Sequence, residues 1–160
     1  MQIRALTPAD RPGLWAIVEP VVRAGETWAL DRDMSEEAGW AYWTAPDREA
    51  FLAEADGRLL GAYFLRANHG GGGAHIANTG YMVAQDAVGR GVGRALCLHS
   101  LETARARGFR AMQFNFVVTT NAPAMHLWQS LGFAIIGRVP GGFRHPVLGD
   151  VDTVMMFREL

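Results

Sequence analysis

The chain contains no lysine, and its 15 strongly basic side chains are all arginine. Mechanisms that form a Schiff base on a lysine, and phosphate loops that need the Walker lysine, are therefore excluded. The chain also has a single cysteine, Cys97, and so cannot form an internal disulfide. This cysteine usage fits a reducing compartment, and we predict a cytoplasmic protein.

Long hydrophobic runs and a strong net charge are also missing. The longest apolar runs are much shorter than the roughly 20 residues that cross a bilayer, and "MQIRALTPAD" lacks a signal-peptide pattern. A net charge of −1 argues against nucleic acid as a partner. His69 and His75 are separated by glycines, and no Asp or Cys completes a metal site. We therefore expect no nucleic acid, no membrane and no metal as partners.

The length of 160 residues fits one domain, 1–160, and 49% hydrophobic with 19% charged residues is a globular composition. Periodicity predicts, in chain order, a strand, two helices, three strands, a helix, a strand, a helix and two strands. This order indicates a mixed α/β fold with helices on both faces of a sheet.

Local signals mark the ends of these predicted elements. Ser35 is a predicted N-cap and Asp56-Gly57 a hairpin turn. We expect two loops without regular structure, "NHGGGGAH" and "PGGFRHPVLG". The nearly continuous apolar strand "FRAMQFNFVV" is expected to be covered on both faces.

The stretch "VGRGVGRAL", residues 88–96, opens a predicted helix with three glycines. Backbone N–H groups in such a turn, at the positive end of a helix, bind phosphate. A dinucleotide fingerprint does not fit, because Leu96 stands where its third glycine belongs and no acidic residue follows near "AMQFN". An acyl-CoA pyrophosphate loop and a tight packing turn remain as alternatives.

The turn resembles the Q/R-x-x-G-x-G/A signature of the GNAT superfamily of N-acetyltransferases. Gly91 and Gly93 match its two small positions, and Arg90 and Arg94 are typical flanking residues. Val88 stands where the signature has Gln or Arg, so one polar side chain is missing while the backbone amides remain.

A second stretch, "NAPAMHLWQSLGF", resembles the later helix of the same superfamily, N-x-x-A-x-x-L-Y-x-x-x-G-F. The positions in register are Asn121, Ala124, Leu127, Gly132 and Phe133. The two motifs occur in the family's order, and the resemblance extends over the whole chain in element order.

The resemblance implies a mostly antiparallel sheet whose central parallel strands splay apart, with acetyl-CoA as co-substrate. It implies that the backbone of Met82 and Val83 pairs with the pantetheine arm and that Asn121 lies beside it. It also implies that the pyrophosphate lies on the amides of the glycine turn, with these residues binding the cofactor: Val88, Gly89, Arg90, Gly91, Val92, Gly93 and Arg94.

The implied reaction is direct attack of a neutral amine on the thioester, with an N–H such as that of Val83 stabilising the oxyanion. In the family a tyrosine often protonates the leaving thiolate, but Trp128 occupies that position here. An indole N–H cannot act as a general acid. We therefore expect Trp128 to pack against the cofactor, and the proton donor stays open.

Candidate residues for the acceptor amine are Asn78, Asn115 and Glu26. Both asparagines lie in apolar strands, where an amide without partners costs roughly 1–3 kcal/mol, and Glu26 lies in a loop that borders the acceptor site in many relatives. "HIANTGY" and "FNFVV" are similar to segments of yeast enzymes that acetylate proline analogues, which implies that the asparagines orient an amino acid.

For five further candidate residues, an ordinary position in a loop or in the core is an alternative to a functional role. His75 is the most natural histidine base and His145 lies in a loop that can border the site, although each is as well explained as a loop residue. Trp28, Trp40 and Trp43 form either an aromatic wall at the acceptor site or part of the core.

We therefore predict an N-acetyltransferase that acts on a small-molecule amine, an amino acid or similar, and that has the potential to form a homodimer. The alternatives are a protein N-terminal or aminoglycoside acetyltransferase and a non-catalytic acyl-CoA-binding sensor, the last motivated by Trp128.

Overall fold

The computed structural model describes residues 1–160, whose helices and strands follow the predicted order. The strands are β1 (Gln2–Ala5), β2 (Glu49–Ala55), β3 (Arg58–Ala67), β4 (Ile76–Val83), β5 (Ala111–Val118), β6 (Ala134–His145) and β7 (Gly149–Glu159). The α-helices are α1 (Arg11–Ala24), α2 (Glu36–Trp43), α3 (Val92–Ala106) and α4 (Ala122–Ser130). No helix is both long and apolar enough to span a membrane.

One seven-stranded sheet runs through the molecule in the order β1-β2-β3-β4-β5-β7-β6. Every neighbouring pair is antiparallel except β4 and β5, which are parallel. That parallel pairing joins only Ile76 to Ala111 and Ala77 to Met112 before the strands diverge. The mostly antiparallel α/β fold with splayed central strands is thereby confirmed.

The pleat of β3 sends alternate side chains to two separate hydrophobic cores. Ala62 and Phe64 pack in the core under α1 and α2, whereas Tyr63 and Leu65 pack in the larger core under α3 and α4. Helices therefore cover both faces of the sheet, as predicted.

The prediction that β5 is covered on both faces is wrong in the middle of the strand, where Asn115 and Phe116 are exposed. The register with β7 shifts between Phe114 and Val117, which is a β-bulge, and β4 has already diverged on the other side. A bulge reorients the side chains next to it. The middle of β5 therefore faces an opening instead of a neighbouring strand.

Most local predictions are confirmed, and two loops need correction. The Ser35 hydroxyl accepts a hydrogen bond from the N–H of Ala38, and Asp56 and Gly57 form the hairpin turn with φ of +51° and +74°. "NHGGGGAH" contains one 3₁₀ turn at Gly71–Gly73, since glycine adopts it without steric cost. "PGGFRHPVLG" is mostly strand, because β6 continues to His145 and pairs with β7 up to a short turn.

Two leucines on α3 provide a test of the larger core. Leu96 is fully buried, whereas Leu98 on the same helix is 45% exposed. We expect Leu96→Ala to lower the free energy of unfolding by about 2–5 kcal/mol through lost burial and a residual cavity. Leu98→Ala, the matched control, should change it by about 0.5 kcal/mol or less. Urea unfolding measures both, and similar losses in the two variants would contradict the described packing.

Candidate active site

The glycine turn connects β4 to α3 and exposes its backbone. Gly89 and Gly91 both have φ of +79°, the left-handed conformation that glycine adopts most readily. An added Cβ at either position would meet no atom within 4 Å, so the space outside the turn is open. The first helical residue, Val92, directs its side chain into the core and is 2% exposed.

The turn contains a cluster of backbone donors without partners. The N–H groups that make no hydrogen bond belong to Gly89, Gly91, Val92, Gly93 and Arg94. They lie at the N-terminus of a 15-residue helix, where the macrodipole adds positive potential. Arg90 and Arg94 are exposed beside them, and Arg94 Nη2 donates to Ser130 Oγ at 2.9 Å. This arrangement is suited to a phosphate or pyrophosphate group.

The backbone of β4 offers a second set of free groups to the opening. Ala84 N–H donates to Leu60 O at 2.9 Å, and Asn68 N–H donates to Ile76 O at 2.8 Å. Hydrogen bonding to β3 therefore uses the even-numbered residues of β4, and the backbone of Tyr81 and Val83 faces the gap towards β5. This corrects the expectation for Met82, whose backbone faces β3 and whose side chain is buried in the core.

A cavity of about 280 Å³ occupies the gap between β4 and β5. Because the strands part here, its walls come from both faces of the sheet. From the α1–α2 side the wall includes Thr27, Trp28, Tyr42, Phe64, Arg66 and Asn78; from the α3–α4 side it includes Tyr81, Phe114, Asn121, Ala124 and Trp128. The opening thus connects the two sides of the sheet.

Asn78 lines the cavity and links the two strands just beyond their last pair. Its Nδ2 donates to the backbone oxygen of Gln113 on β5 at 2.9 Å, and its Oδ1 accepts from Arg66 Nε at 3.2 Å. The side chain is 7% exposed. The buried amide is therefore satisfied on both atoms, and it also forms part of the cavity wall.

Asn115 lies on the β5 bulge on the other side of the opening. Its Nδ2 donates to Asn68 Oδ1 at 2.7 Å, and its Oδ1 accepts from Gln113 Nε2 at 3.0 Å. Asn115 lines the cavity together with Asn78. The structure therefore brings the two predicted asparagines to the same cavity on opposite strands.

Tyr81 and Trp128 form an aromatic wall of the cavity. Their ring centroids are 5.0 Å apart, and Trp128 also packs edge-on against Phe114 at 5.1 Å. The Tyr81 hydroxyl is 2.6 Å from the Oγ of Ser100, a buried residue on the core-facing side of α3. Burial raises the pKa of Tyr81 well above its ordinary value, so this hydroxyl stays protonated.

The structure does not bring Glu26, His75 or His145 to the cavity. Glu26 is exposed and lines no part of it, whereas its neighbours Thr27 and Trp28 do. His75 is exposed in the loop before β4, and His145 Nδ1 accepts from the N–H groups of the β6–β7 turn. His75 is therefore a loop residue, and His145 is the last residue of β6 and caps the turn that follows.

The three tryptophans behave differently from one another. Trp28 lines the cavity, Trp43 is completely buried in the core, and Trp40 packs against that core. The aromatic wall on this side consists of Trp28 with Tyr42 and Phe64, whose rings meet edge-to-face.

Sequence reasoning missed Arg66, Tyr42 and Tyr81 as lining residues. Arg66 stands directly opposite Asn78 in the β3–β4 ladder. The only signal for it was an arginine at the end of the apolar run "GAYFL". The register that places it beside Asn78 is not encoded in either strand alone.

The splayed strands, the turn with unpaired amides and the cavity between the strands define the acyl-CoA N-acyltransferase fold. The Acetyltransferase (GNAT) family model matches residues 15–133, and the chain belongs to this family. A GCN5-related N-acetyltransferase from Kribbella flavida is 44% identical, with 99% of this chain and 97% of that chain covered at a TM-score of 0.94. The yncA structure of Salmonella typhimurium, which contains acetyl-CoA, shares the fold at 22% identity, with a TM-score of 0.87 over 100% of this chain and 94% of that chain.

Two curated relatives match parts of the chain. N-acetyltransferase aca1 of Schizosaccharomyces pombe is 34% identical over 93 residues, which are 58% of this chain and 44% of the relative. Mycothiol acetyltransferase of Thermomonospora curvata is 34% identical over 131 residues, covering 78% of this chain and 36% of the relative. The chain thus spans less than half the length of these curated relatives.

The single thiol lies behind the aromatic wall and should be inert. Cys97 is fully buried, and burial raises its pKa to about 11. Because the thiolate is the reactive form, we expect native Cys97 at pH 8 to react with a disulfide reagent at least about 100-fold more slowly than the same chain in urea. Stopped-flow absorbance measures both rates. Equal rates would show that the core around Tyr81 is open.

Proposed function

We propose that the chain transfers the acetyl group of acetyl-CoA to the amine of a small molecule of about amino-acid size. The observation that carries the proposal is the cavity in the strand gap, bordered by free backbone groups of β4 and by two asparagines. Its volume of about 280 Å³ favours a small acceptor over a folded protein surface. The similarity to a mycothiol acetyltransferase supports a small-molecule acceptor.

The glycine turn fits the pyrophosphate of the co-substrate. Its unpaired amides supply hydrogen-bond donors, and the positive φ of Gly89 and Gly91 keeps these donors free of side chains. The α4 helix adjoins the turn, since an added Cβ on Gly93 would lie 3.3 Å from Leu127. Asn121 and Trp128 on α4 then border the pantetheine arm in the same gap.

In the proposed reaction the neutral acceptor amine attacks the thioester carbonyl carbon, and the thiolate leaves. The backbone N–H groups of Tyr81 and Val83 face the gap and are available to stabilise the developing oxyanion. Neither Asp, Glu nor His lines the cavity. The ammonium form of the acceptor therefore loses one proton to water before it attacks, and the proton that the nitrogen loses after attack reaches the leaving thiolate through water. Asn78 and Asn115 act by positioning the acceptor.

The first test of this function is thiol release from acetyl-CoA against amino acids, imino acids, polyamines, aminoglycosides and short peptides. We expect turnover with amino or imino acids and at least about tenfold lower kcat/KM with polyamines and aminoglycosides. Binding of CoA without thiol release from any acceptor would favour the acyl-CoA-binding sensor. Preferred turnover of peptides would favour the protein N-terminal acetyltransferase.

Two glycines at opposite ends of α3 test the pyrophosphate site. Gly91 and Gly108 have φ of +79° and +82°, and a Cβ at either meets no atom within 4 Å. Gly91→Ala and Gly108→Ala should therefore cost a similar 1–2 kcal/mol or so of stability. Only Gly91→Ala should weaken CoA binding, by about tenfold or more, because it distorts the unpaired amides. Calorimetric titration with CoA measures this, and equal affinities in both variants would contradict the assignment.

A further inference from the structure

The cavity has an unbalanced positive charge on its wall. Arg66 is the one charged side chain among the lining residues, and none of them is acidic. Its guanidinium carries five N–H donors in a fixed fork. Nε donates to Asn78 Oδ1 at 3.2 Å, and Nη1 donates to Asp47 Oδ2 at 3.4 Å. The remaining donors have no partner in the protein, and the side chain keeps 29% of its surface exposed.

The single nearby carboxylate serves two arginines. Asp47 is 3.4 Å from Arg66 Nη1 and 3.6 Å from Arg48 Nε, and 57% of its side chain is exposed. Both distances are longer than the usual 2.7–2.9 Å or so of a charge-assisted hydrogen bond. Two guanidinium groups thus share one solvated carboxylate, which leaves a net positive charge beside the cavity.

Arg48 contributes to this charge from behind the aromatic wall. Its guanidinium lies over the Tyr42 ring at 4.0 Å and over the Phe64 ring at 4.4 Å, and only 11% of its side chain is exposed. Both rings line the cavity. The stacking fixes their orientation, and the poorly solvated cation raises the electrostatic potential inside the cavity.

The position of Arg66 suits an anion attached to the amine that reacts. Arg66 pairs with Asn78 across the β3–β4 ladder, three residues before Tyr81, whose backbone faces the gap. Three residues of strand are about 10 Å, a length that one guanidinium and a small amino acid can bridge. The hydrogen bond to Asn78 already holds the Arg66 guanidinium in position, so the Arg66 side chain loses little conformational entropy when it binds an anion.

We propose that Arg66, positioned by Asn78 and Asp47, binds a carboxylate of the acceptor, so that the acceptor is an amine that also carries a carboxylate. This inference rests on the proposed acetyl transfer and makes Arg66 its specificity-determining residue. A polyamine or an aminoglycoside meets like charge in the same cavity and is rejected.

Product binding tests the inference without requiring turnover. The probes are N-acetylated amino acids and their primary amides, titrated calorimetrically into the protein saturated with CoA. We expect at least one acid to bind about tenfold or more tightly than its amide, and Arg66→Gln to abolish that difference. Equal binding of acid and amide, persistence of the preference in Arg66→Gln, or binding of neither probe would overturn the inference.

A matched control separates the subsite from a general loss of charge. Arg107 pairs with Glu49 at 2.8 Å, its side chain is half exposed, and it does not line the cavity. Arg107→Gln should therefore keep the preference for the acid. Arg66→Lys keeps the charge but loses the planar fork, and it should retain only part of the preference.

Kinetics separates failure of this inference from failure of the proposed function. For an amino acid acceptor, Arg66→Gln should lower kcat/KM by about 10- to 100-fold, mainly by raising KM, and its effect on the amino acid amide should stay within about threefold. Thiol release that is equally fast with acids and amides would leave the acetyl transfer standing and overturn the role of Arg66. Acid-selective binding without any thiol release would overturn the transfer and leave the carboxylate site standing.

Discussion

The structure depends on the separation of β4 and β5 after only two paired residues on each strand. A continued parallel ladder would bond the backbone of Tyr81 and Val83 to β5 and would leave no room for a cavity. Once the strands part, those backbone groups need other partners, because an unpaired buried N–H or C=O costs free energy. The β5 bulge at Asn115 lies at the same opening, and residues of α4 line it. In the proposed complex an extended ligand in the gap would supply the missing partners, which links the separation of the strands to binding.

Asn78 bridges the two strands at the point where they begin to separate. Its Nδ2 donates to Gln113 O in place of the next backbone hydrogen bond, while its Oδ1 accepts from Arg66. Only a side chain that both donates and accepts fulfils the two roles. An ionised carboxylate at this position could accept from Arg66 but could not donate to Gln113 O. The same amide therefore joins the strands, holds the Arg66 guanidinium and forms part of the cavity wall.

Much of the fold was predictable because its signals are local. Caps and turns such as Ser35 and Asp56-Gly57 are specified within a few residues, and two motifs along the chain identified the glycine turn and α4. The site was only partly predictable, because its composition depends on register. Asn78 and Asn115 could be recognised because each is a polar residue within an apolar strand. Arg66 lines the cavity only because β3 pairs with β4 in the register that places it opposite Asn78, and that register is not specified within either strand. Glu26 shows the opposite error: it is adjacent in sequence to lining residues but points to solvent.

No carboxylate or imidazole lines the cavity, so no side chain there can act as a general base. The positive charge of the wall therefore affects the protonation of the acceptor amine as well as the binding of a carboxylate. The lining residues with ionisable side chains are Arg66, Tyr42 and Tyr81, and the Tyr81 hydroxyl is held in the core with a raised pKa. An ammonium that enters beside Arg66 and Arg48 meets like charge, which lowers its pKa and favours the neutral, nucleophilic form. A carboxylate on the same molecule gains from the same field. In the proposed reaction, one electrostatic arrangement thus binds the anionic end of the acceptor and favours loss of the ammonium proton to water without a dedicated base.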